Sequence, residues 1–374
     1  MDQLIAAQIR KLQQKGLYRE RAKPFVAPAN SLNFCSNDYL SLSTDPRLKQ
    51  AYQDGFARYP CGSGGSAVIS GYHPAHRQLE ETIAAALGVD DAILFSSGYA
   101  ANLAIVTLLA SLSAHVLIDK GVHASIYDGL NLAGAKYSRY RHRSLAGLET
   151  ALKRASTHAV VLTEGLFSMS GQIASLDPLM ALCHQYTAHC IVDEAHSFGL
   201  LGPQGLGLIN ASGLSQDDIP LRLLAFGKAL AGQGAVVAGK KAWIDALLQQ
   251  GRSYIYSTAL SPALAHGMKR AFELVIAADD RRLKLNELVR YFQECCENSS
   301  LNWQKSLSPI QQLQLGCPHQ ARKLADHLLI QGIFCQAIRQ PTVNRQETGL
   351  RVVLNYSHTK EDIDRLFWAA ISNR

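Results

Sequence analysis

Between residues 92 and 249, short apolar runs alternate with stretches whose apolar residues recur at helical spacing, and few architectures tolerate that order. The runs at 92–95, 115–119, 159–163, 190–193, 221–226 and 235–239 have the length and make-up of buried strands. The stretches at 74–87, 100–112, 145–154, 176–186 and 242–249 repeat their apolar positions as helices do. Strands that are apolar on both faces must be covered on both, and helices between them supply the cover. An α/β domain on a largely parallel sheet is therefore expected.

The flanks read differently. Leu4, Ile5, Ile9, Leu12 and Leu17 predict a helix over 3–20, followed by a turn-rich stretch over 23–30. Beyond about residue 277 a charged helix over 279–298 leads into shorter strands and helices, closing with 359–371. The expected division is an N-terminal helical segment (1–41), a large domain (42–276) and a smaller α+β domain (277–374). With 374 residues, 47% of them hydrophobic and 18% charged, the chain has ample material for a core and little for disorder away from its ends.

Composition also narrows the function classes. The net charge of +7 is spread along the chain, and its densest cluster, Arg139-Tyr140-Arg141-His142-Arg143, reads as a solvated strand end or loop. No nucleic-acid motif accompanies it, so no nucleic-acid partner is expected, and the charge suits anionic substrates. The eight cysteines form no CxxC pair and Cys295 and Cys296 are adjacent, which points to reduced thiols and a cytoplasmic protein. Cys183, His184, His189 and Cys190 do not have zinc-site spacing, and no metal is expected. The longest apolar stretch, 100–112, contains Asn102 and Thr107 and is short of the roughly 20 residues a bilayer requires, so no membrane partner is expected.

In sheets of this kind the chemistry sits beyond the carboxyl ends of the strands. The run 190–193 ends in Asp193-Glu194-Ala195-His196, and the run 221–226 ends in Gly227-Lys228. A carboxylate that keeps a pyridine nitrogen protonated and an amine that bonds an aldehyde are what pyridoxal 5'-phosphate (PLP) requires. Ser96-Ser97-Gly98-Tyr99-Ala100 follows a strand and opens a helix, where free N–H groups suit a phosphate. His123 follows the run 115–119 and is placed to stack on a planar ring, and the segment Thr163 to Ser168 presents a hydroxyl after another strand. Singly these are ordinary turn or surface residues; their order on successive strand ends carries the reading. Gly202 to Gly207 lacks dinucleotide-fingerprint spacing, and Gly227-Lys228-Ala229 lacks the Ser/Thr of a P-loop.

The set as a whole resembles the α-oxoamine synthases. Asn33-Phe34-Cys35-Ser36-Asn37-Asp38-Tyr39-Leu40 is similar to their opening signature. Gly62-Ser63-Gly64-Gly65-Ser66, Ser70-Gly71-Tyr72 and His76 resemble the version of the next block found in the biotin-pathway branch. Segments 163–169, 192–198, 226–228, 255–258 and 338–343 continue the likeness, which runs from about residue 4 to residue 370. The resemblance implies a type I PLP-transferase fold, with a mostly parallel seven-stranded sheet flanked by helices and a smaller C-terminal domain. It also implies a homodimer with sites at the subunit interface. Lys228 would bond the cofactor, Asp193 would face the pyridinium and His123 would stack on the ring. His196 and Ser168 would lie near the phenolic oxygen, Gly98 and Tyr99 would bind the cofactor, and Ser257 and Thr258 would reach the phosphate of the neighbouring subunit. Arg339 would hold the amino-acid carboxylate, and Arg19, Asn37 and Thr342 count among the substrate residues.

The implied reaction is a decarboxylative condensation of L-alanine with a pimeloyl thioester, on coenzyme A or a carrier protein. Branches acting on glycine or serine, and aminotransferases of the same fold, are the alternatives. The chain departs from the pattern at Ala225, where a phosphate-binding Thr is usual, and at Gln340, Ser170 and Leu206, where Pro, Asp and Arg are usual.

Overall fold

The computed structural model describes residues 1–19, 31–155 and 158–372. The expected turn-rich stretch 23–30 lies outside the described residues. The strands in chain order are β1 (Leu32–Asn33), β2 (Asp91–Phe95), β3 (His115–Asp119), β4 (Tyr137–Tyr140), β5 (Ala159–Glu164), β6 (His189–Asp193), β7 (Leu221–Ala225), β8 (Ala235–Gly239), β9 (Trp303–Gln304), β10 (Ile310–Gln314), β11 (Ile333–Phe334), β12 (Gln336–Ile338) and β13 (Gly349–Val353). The chain divides into two compact units, one of residues 38–168 and 173–282, the other of 1–37, 169–172 and 283–374.

The first unit is built on a seven-stranded sheet in the order β2-β8-β7-β6-β5-β3-β4. Strands β7, β6, β5, β3 and β4 run parallel, and β8 is antiparallel to both β7 and β2. Every residue of β3, β5 and β8 is buried, which is why these strands read as largely apolar runs. The helix Gly98–Ser111 is buried along most of its length through Ala101, Ala104, Ile105, Val106, Leu108 and Leu109. Burying a Leu or Ile side chain contributes roughly 1.5–3 kcal/mol, so this helix anchors the sheet beneath it. Ser97 caps it by accepting the Ala100 N–H at 3.1 Å. The helix Pro74–Leu87 begins with proline in its first turn and ends at Gly88, whose φ of 66° is left-handed.

Three of the longer helices of this unit were not expected from the sequence, nor were the short ones at Leu208–Ala211 and Arg252–Ile255. Pro46–Arg58 buries only Leu48, Ala51 and Gly55, too thin an apolar stripe to stand out. It packs on Pro262–Ile276, and a Cβ at Gly55 would lie 2.4 Å from the Ala263 carbonyl, so the absence of a side chain there permits the close approach. Ala124–Leu132 is the third. Strand β4 was also missed, since only Tyr140 of its four residues is buried. The basic cluster at 139–143 begins at the end of β4, with Arg139, Arg141 and Arg143 exposed.

In the second unit β10 is flanked by β13 and β9 in an antiparallel four-stranded sheet of order β12-β13-β10-β9. Strand β1 pairs in parallel with β11, and Phe34 stacks on His358 with centroids 4.2 Å apart. These contacts are the reason residues 1–37 fold with the C-terminal part instead of forming the separate 1–41 segment expected. The helix expected over 3–20 is Asp2–Gln14, and the chain turns away at Gly16, whose φ is 65°. Most of helix Asp279–Glu297, the charged helix expected over 279–298, lies in this unit with Pro318–Ile330 and Lys360–Ile371, the last opened by a Thr359/Asp362 capping box. Among the described residues no helix is long and apolar enough to cross a membrane.

Candidate active site

His123, Ser168, Asp193, His196 and Lys228 lie at or just beyond the carboxyl ends of β3, β5, β6 and β7. Asp193 ends β6 and is 6% exposed. One carboxylate oxygen accepts the Ala195 N–H at 2.9 Å and the other accepts the Asn102 amide at 2.9 Å. The same amide donates to Ser125 Oγ at 3.0 Å, and that oxygen lies 2.8 Å from His123 Nδ1. His123 is the N-cap of Ala124–Leu132, with the Ser125 N–H directed at Nδ1. Burial lowers its pKa; the charge of Lys228 acts in the same direction and that of Asp193 against it.

Glu164, at the end of β5, is buried and holds two loops together. It accepts the backbone N–H of His123 on one oxygen and that of Ser168, at 3.3 Å, on the other. Burial pushes its carboxyl up to about 8, with Asp193 adding to the rise and Lys228 opposing it. Thr163 lies inside β5, beside Tyr140, so of this segment's hydroxyls Ser168 is the one left for the site. His196 is buried and its Nδ1 is 2.6 Å from the hydroxyl of Tyr39, a fully buried residue of the opening signature. The turn joining Asp193 to His196 rests on a buried ion pair between Glu194 and Arg222.

Lys228 is half-buried on the turn after β7, and its carbonyl accepts the Ala231 N–H at 2.8 Å. A methyl added at the preceding Gly227 would find no atom nearer than the Gly232 carbonyl at 3.6 Å, so the lysine leaves an uncrowded backbone. Gly98 opens its helix against the end of β7, where an added Cβ would meet the Ala225 Cβ at 3.6 Å. Tyr99 is 44% exposed and its hydroxyl donates to Asp128 at 2.7 Å. Ser257 and Thr258 line a cavity of about 20 Å³ with Ser96, Ser253, Tyr72 and Glu80. The Gly62–Ser66 block pins their loop: Ser63 Oγ donates to the Ala259 carbonyl at 2.9 Å, and Ser66 forms a bridge with Thr258.

The expected substrate residues gather in the second unit. Arg19, Arg339 and Thr342 line a cavity of about 260 Å³ together with Cys35, Met169 and Arg351. Arg19 donates to Thr342 Oγ1 at 3.5 Å, and Arg339 donates to the Gly16 carbonyl at 2.6 Å. Asn37 accepts from Arg351 at 2.9 Å. Three guanidinium groups around one cavity favour a carboxylate ligand. Arg351 is an addition to the sequence reading; as an arginine inside β13 it carried no motif of its own. Asn102, Ser125, Glu164 and Tyr39 are further residues to which no role was assigned from the sequence.

The donor set around Asp193 fits PLP. Both of its hydrogen bonds described above come from neutral donors, and a carboxylate has about four acceptor positions. A cationic pyridinium N–H therefore suits the carboxylate left at this strand end, with Lys228 and the flat face of His123 as the other requirements of the cofactor.

Comparison with known proteins gives the same picture. The family model described as aminotransferase class I and II matches residues 29–369. An 8-amino-7-oxononanoate synthase of Marinobacter nauticus is 38% identical over 377 aligned positions, covering 99% of this chain and 96% of that protein. The solved structure of 8-amino-7-oxononanoate synthase from Francisella tularensis is 34% identical with a TM-score of 0.82, covering 92% of this chain and 98% of that one. Serine palmitoyltransferase from S. paucimobilis is 26% identical with a TM-score of 0.91, covering 98% of this chain and 97% of that one.

Proposed function

Since the chain belongs to the class I and II aminotransferase family and, within it, to the 8-amino-7-oxononanoate synthases, we propose that it condenses L-alanine with a pimeloyl thioester. Carbon dioxide and the free thiol carrier leave, and the product is 8-amino-7-oxononanoate, a precursor of biotin. The observation that carries this reading is the pairing of Asp193 and Lys228 on neighbouring strand ends, with His123 tied to Asp193 through Asn102 and Ser125.

PLP, when bound, supplies an electron-poor ring that takes up the electron pair left when a bond at the amino acid's α-carbon breaks. The protein's residues do the rest. Lys228 would hold the cofactor through its amine and, as a free amine, would take the α-proton of L-alanine. Asp193 would keep the ring nitrogen protonated, and His123 would stack on the ring. His196, oriented by Tyr39, and Ser168 serve the phenolic oxygen. Gly98 and Tyr99 serve the cofactor through the N-terminus of their helix. Arg339 would hold the alanine carboxylate with its planar fork, Arg19 and Thr342 would line the acyl-substrate side, and Asn37 would count among the substrate residues. The carrier is coenzyme A or a carrier protein, either of which the positive net charge suits.

The working form is a cytoplasmic homodimer in which Ser257 and Thr258 reach the phosphate bound by the neighbouring subunit. The Ser66–Thr258 bridge and the Ser63 bond hold their loop in a fixed shape.

The test is an absorption titration of PLP-loaded protein with L-alanine, glycine and L-serine in parallel. A visible band that shifts selectively with L-alanine, and release of the thiol carrier on adding a pimeloyl thioester, are expected. A Lys228→Ala variant should fold and lose both. A band responding only to glycine or serine would replace the proposed substrate, and an unimpaired Lys228→Ala variant would overturn the mechanism.

A further inference from the structure

We propose that Asn102, acting through Ser125, is a positioning residue that holds His123 in a single tautomer and ties its ring to Asp193; this rests on the cofactor reading above. Asn102 stands out in the sequence only as a polar break in an apolar run. In the fold it is 2% exposed, on a helix whose other buried residues are alanine, valine, isoleucine and leucine. A primary amide in such surroundings is unfavourable unless its hydrogens are bonded.

Both hydrogens are bonded. One goes to Asp193 Oδ2 at 2.9 Å and the other to Ser125 Oγ at 3.0 Å. The reverse orientation would set the amide oxygen against the Asp193 carboxylate, so electrostatics fixes which end faces the site. The amide oxygen is left buried without a partner, a cost that the two donor bonds offset.

Ser125 is fully buried; its backbone N–H points at His123 Nδ1, which makes that nitrogen an acceptor, so the hydroxyl 2.8 Å away, whose oxygen accepts from Asn102, turns its own hydrogen to Nδ1. The Ser125 backbone N–H is directed at the same nitrogen, 3.3 Å away. Two donors converging on Nδ1 leave no place for a proton there, and the imidazole carries its proton on Nε2. The charged groups that act on the ring are Asp193, Lys228 and Asp128, and Glu164 holds its backbone N–H. The Asn102–Ser125 chain thus sets the proton position on the ring that covers the cofactor, and the same amide orients the carboxylate that faces the cofactor nitrogen.

The test reads the tautomer in cofactor-free protein by ¹⁵N-edited imidazole spectra, with the His123 signals assigned from a His123→Gln variant. The wild type should show one neutral tautomer, protonated at Nε2. Ser125→Ala and Asn102→Leu should populate the second tautomer, and Ser125→Thr should restore the first. Asn102→Leu should also weaken PLP binding by about tenfold, read from absorbance, since a charge-assisted bond to Asp193 is lost. Both tautomers in the wild type, or a single unchanged tautomer and unchanged cofactor affinity in Ser125→Ala and Asn102→Leu, would overturn the proposal. Should Asn102→Leu fail to fold by circular dichroism, Ser125→Ala decides the matter alone. A wild type that binds no PLP would sink the cofactor reading, whereas the tautomer is read without cofactor, so the two failures are separable.

Discussion

Replacing Arg222 by methionine tests how the turn from Asp193 to His196 is held. Arg222 is 3% exposed and Glu194 is fully buried. The guanidinium meets the Glu194 carboxylate, the Asn210 side-chain oxygen at 2.6 Å and the Leu206 carbonyl. Glu194 accepts otherwise from Ser197 Oγ and the Ile209 N–H, each at 3.2 Å. Without Arg222 a buried carboxylate keeps only neutral donors, and breaking such a pair costs about 3–5 kcal/mol. At roughly 2–4 °C per kcal/mol for a folded unit of this size, the thermal midpoint should fall by roughly 6–20 °C. Cofactor affinity should fall as well, because the loosened turn carries both Asp193 and His196. The control is Arg222→Met combined with Glu194→Met, which removes both charges; replacing a buried pair by apolar residues is often neutral, so most of the stability should return. Near-UV circular dichroism melts of the cofactor-free proteins measure this. A single variant within about 1 kcal/mol of wild type, or a double variant no more stable than the single, would refute the reasoning.

Two other consequences follow from the geometry of the first unit. Tyr39→Phe removes one hydrogen bond to His196 without changing the ring volume, so kcat/KM should fall roughly two- to tenfold with the fold intact, and steady-state rates equal to wild type would contradict the orienting role. Glu164, raised from 4.5 to about 8 chiefly by burial, holds its proton in the folded chain where the unfolded chain has lost it. Its contribution to stability is therefore complete below the unfolded value and is lost as pH rises through about 8. Urea unfolding of the cofactor-free protein from pH 5 to 9 should show this decline, and Glu164→Gln should flatten it; an identical pH slope in the variant would rule Glu164 out as its source.

The parts of this fold legible in the sequence are those where one physical demand dominates. The inner strands β3, β5 and β8 are buried throughout, so their apolar runs could be read directly, and β3 and β8 have the boundaries expected. Strand β4 buries one residue and Pro46–Arg58 buries three, which leaves no periodic signal above that of a solvated segment. The association of residues 1–37 with the C-terminal part rests on the β1–β11 pairing, the ring stack at Phe34 and hydrogen bonds such as Arg339 to Gly16 and Arg351 to Asn37, contacts about 300 positions apart that no local pattern encodes.

The site divides along the same line. Asp193, Lys228 and His123 are visible because each stands where an apolar strand gives way to a turn, and their order across strands matches a chemistry. Their supports are not visible, because each is interpretable only with its partner in view. Asn102 reads as a blemish in a helix until Asp193 and Ser125 are seen on either side of its amide. Arg222 reads as a charge misplaced in a buried strand until Glu194 is found beside it. The resemblance leads one to expect an arginine at 206; this chain has Leu206 there, and its carbonyl accepts from Arg222. A polar residue inside an apolar element is thus better treated as half of a bonded pair whose other half lies at a strand end. Applied to Asn102 and Arg222, that rule leads in both cases to the one turn that holds Asp193.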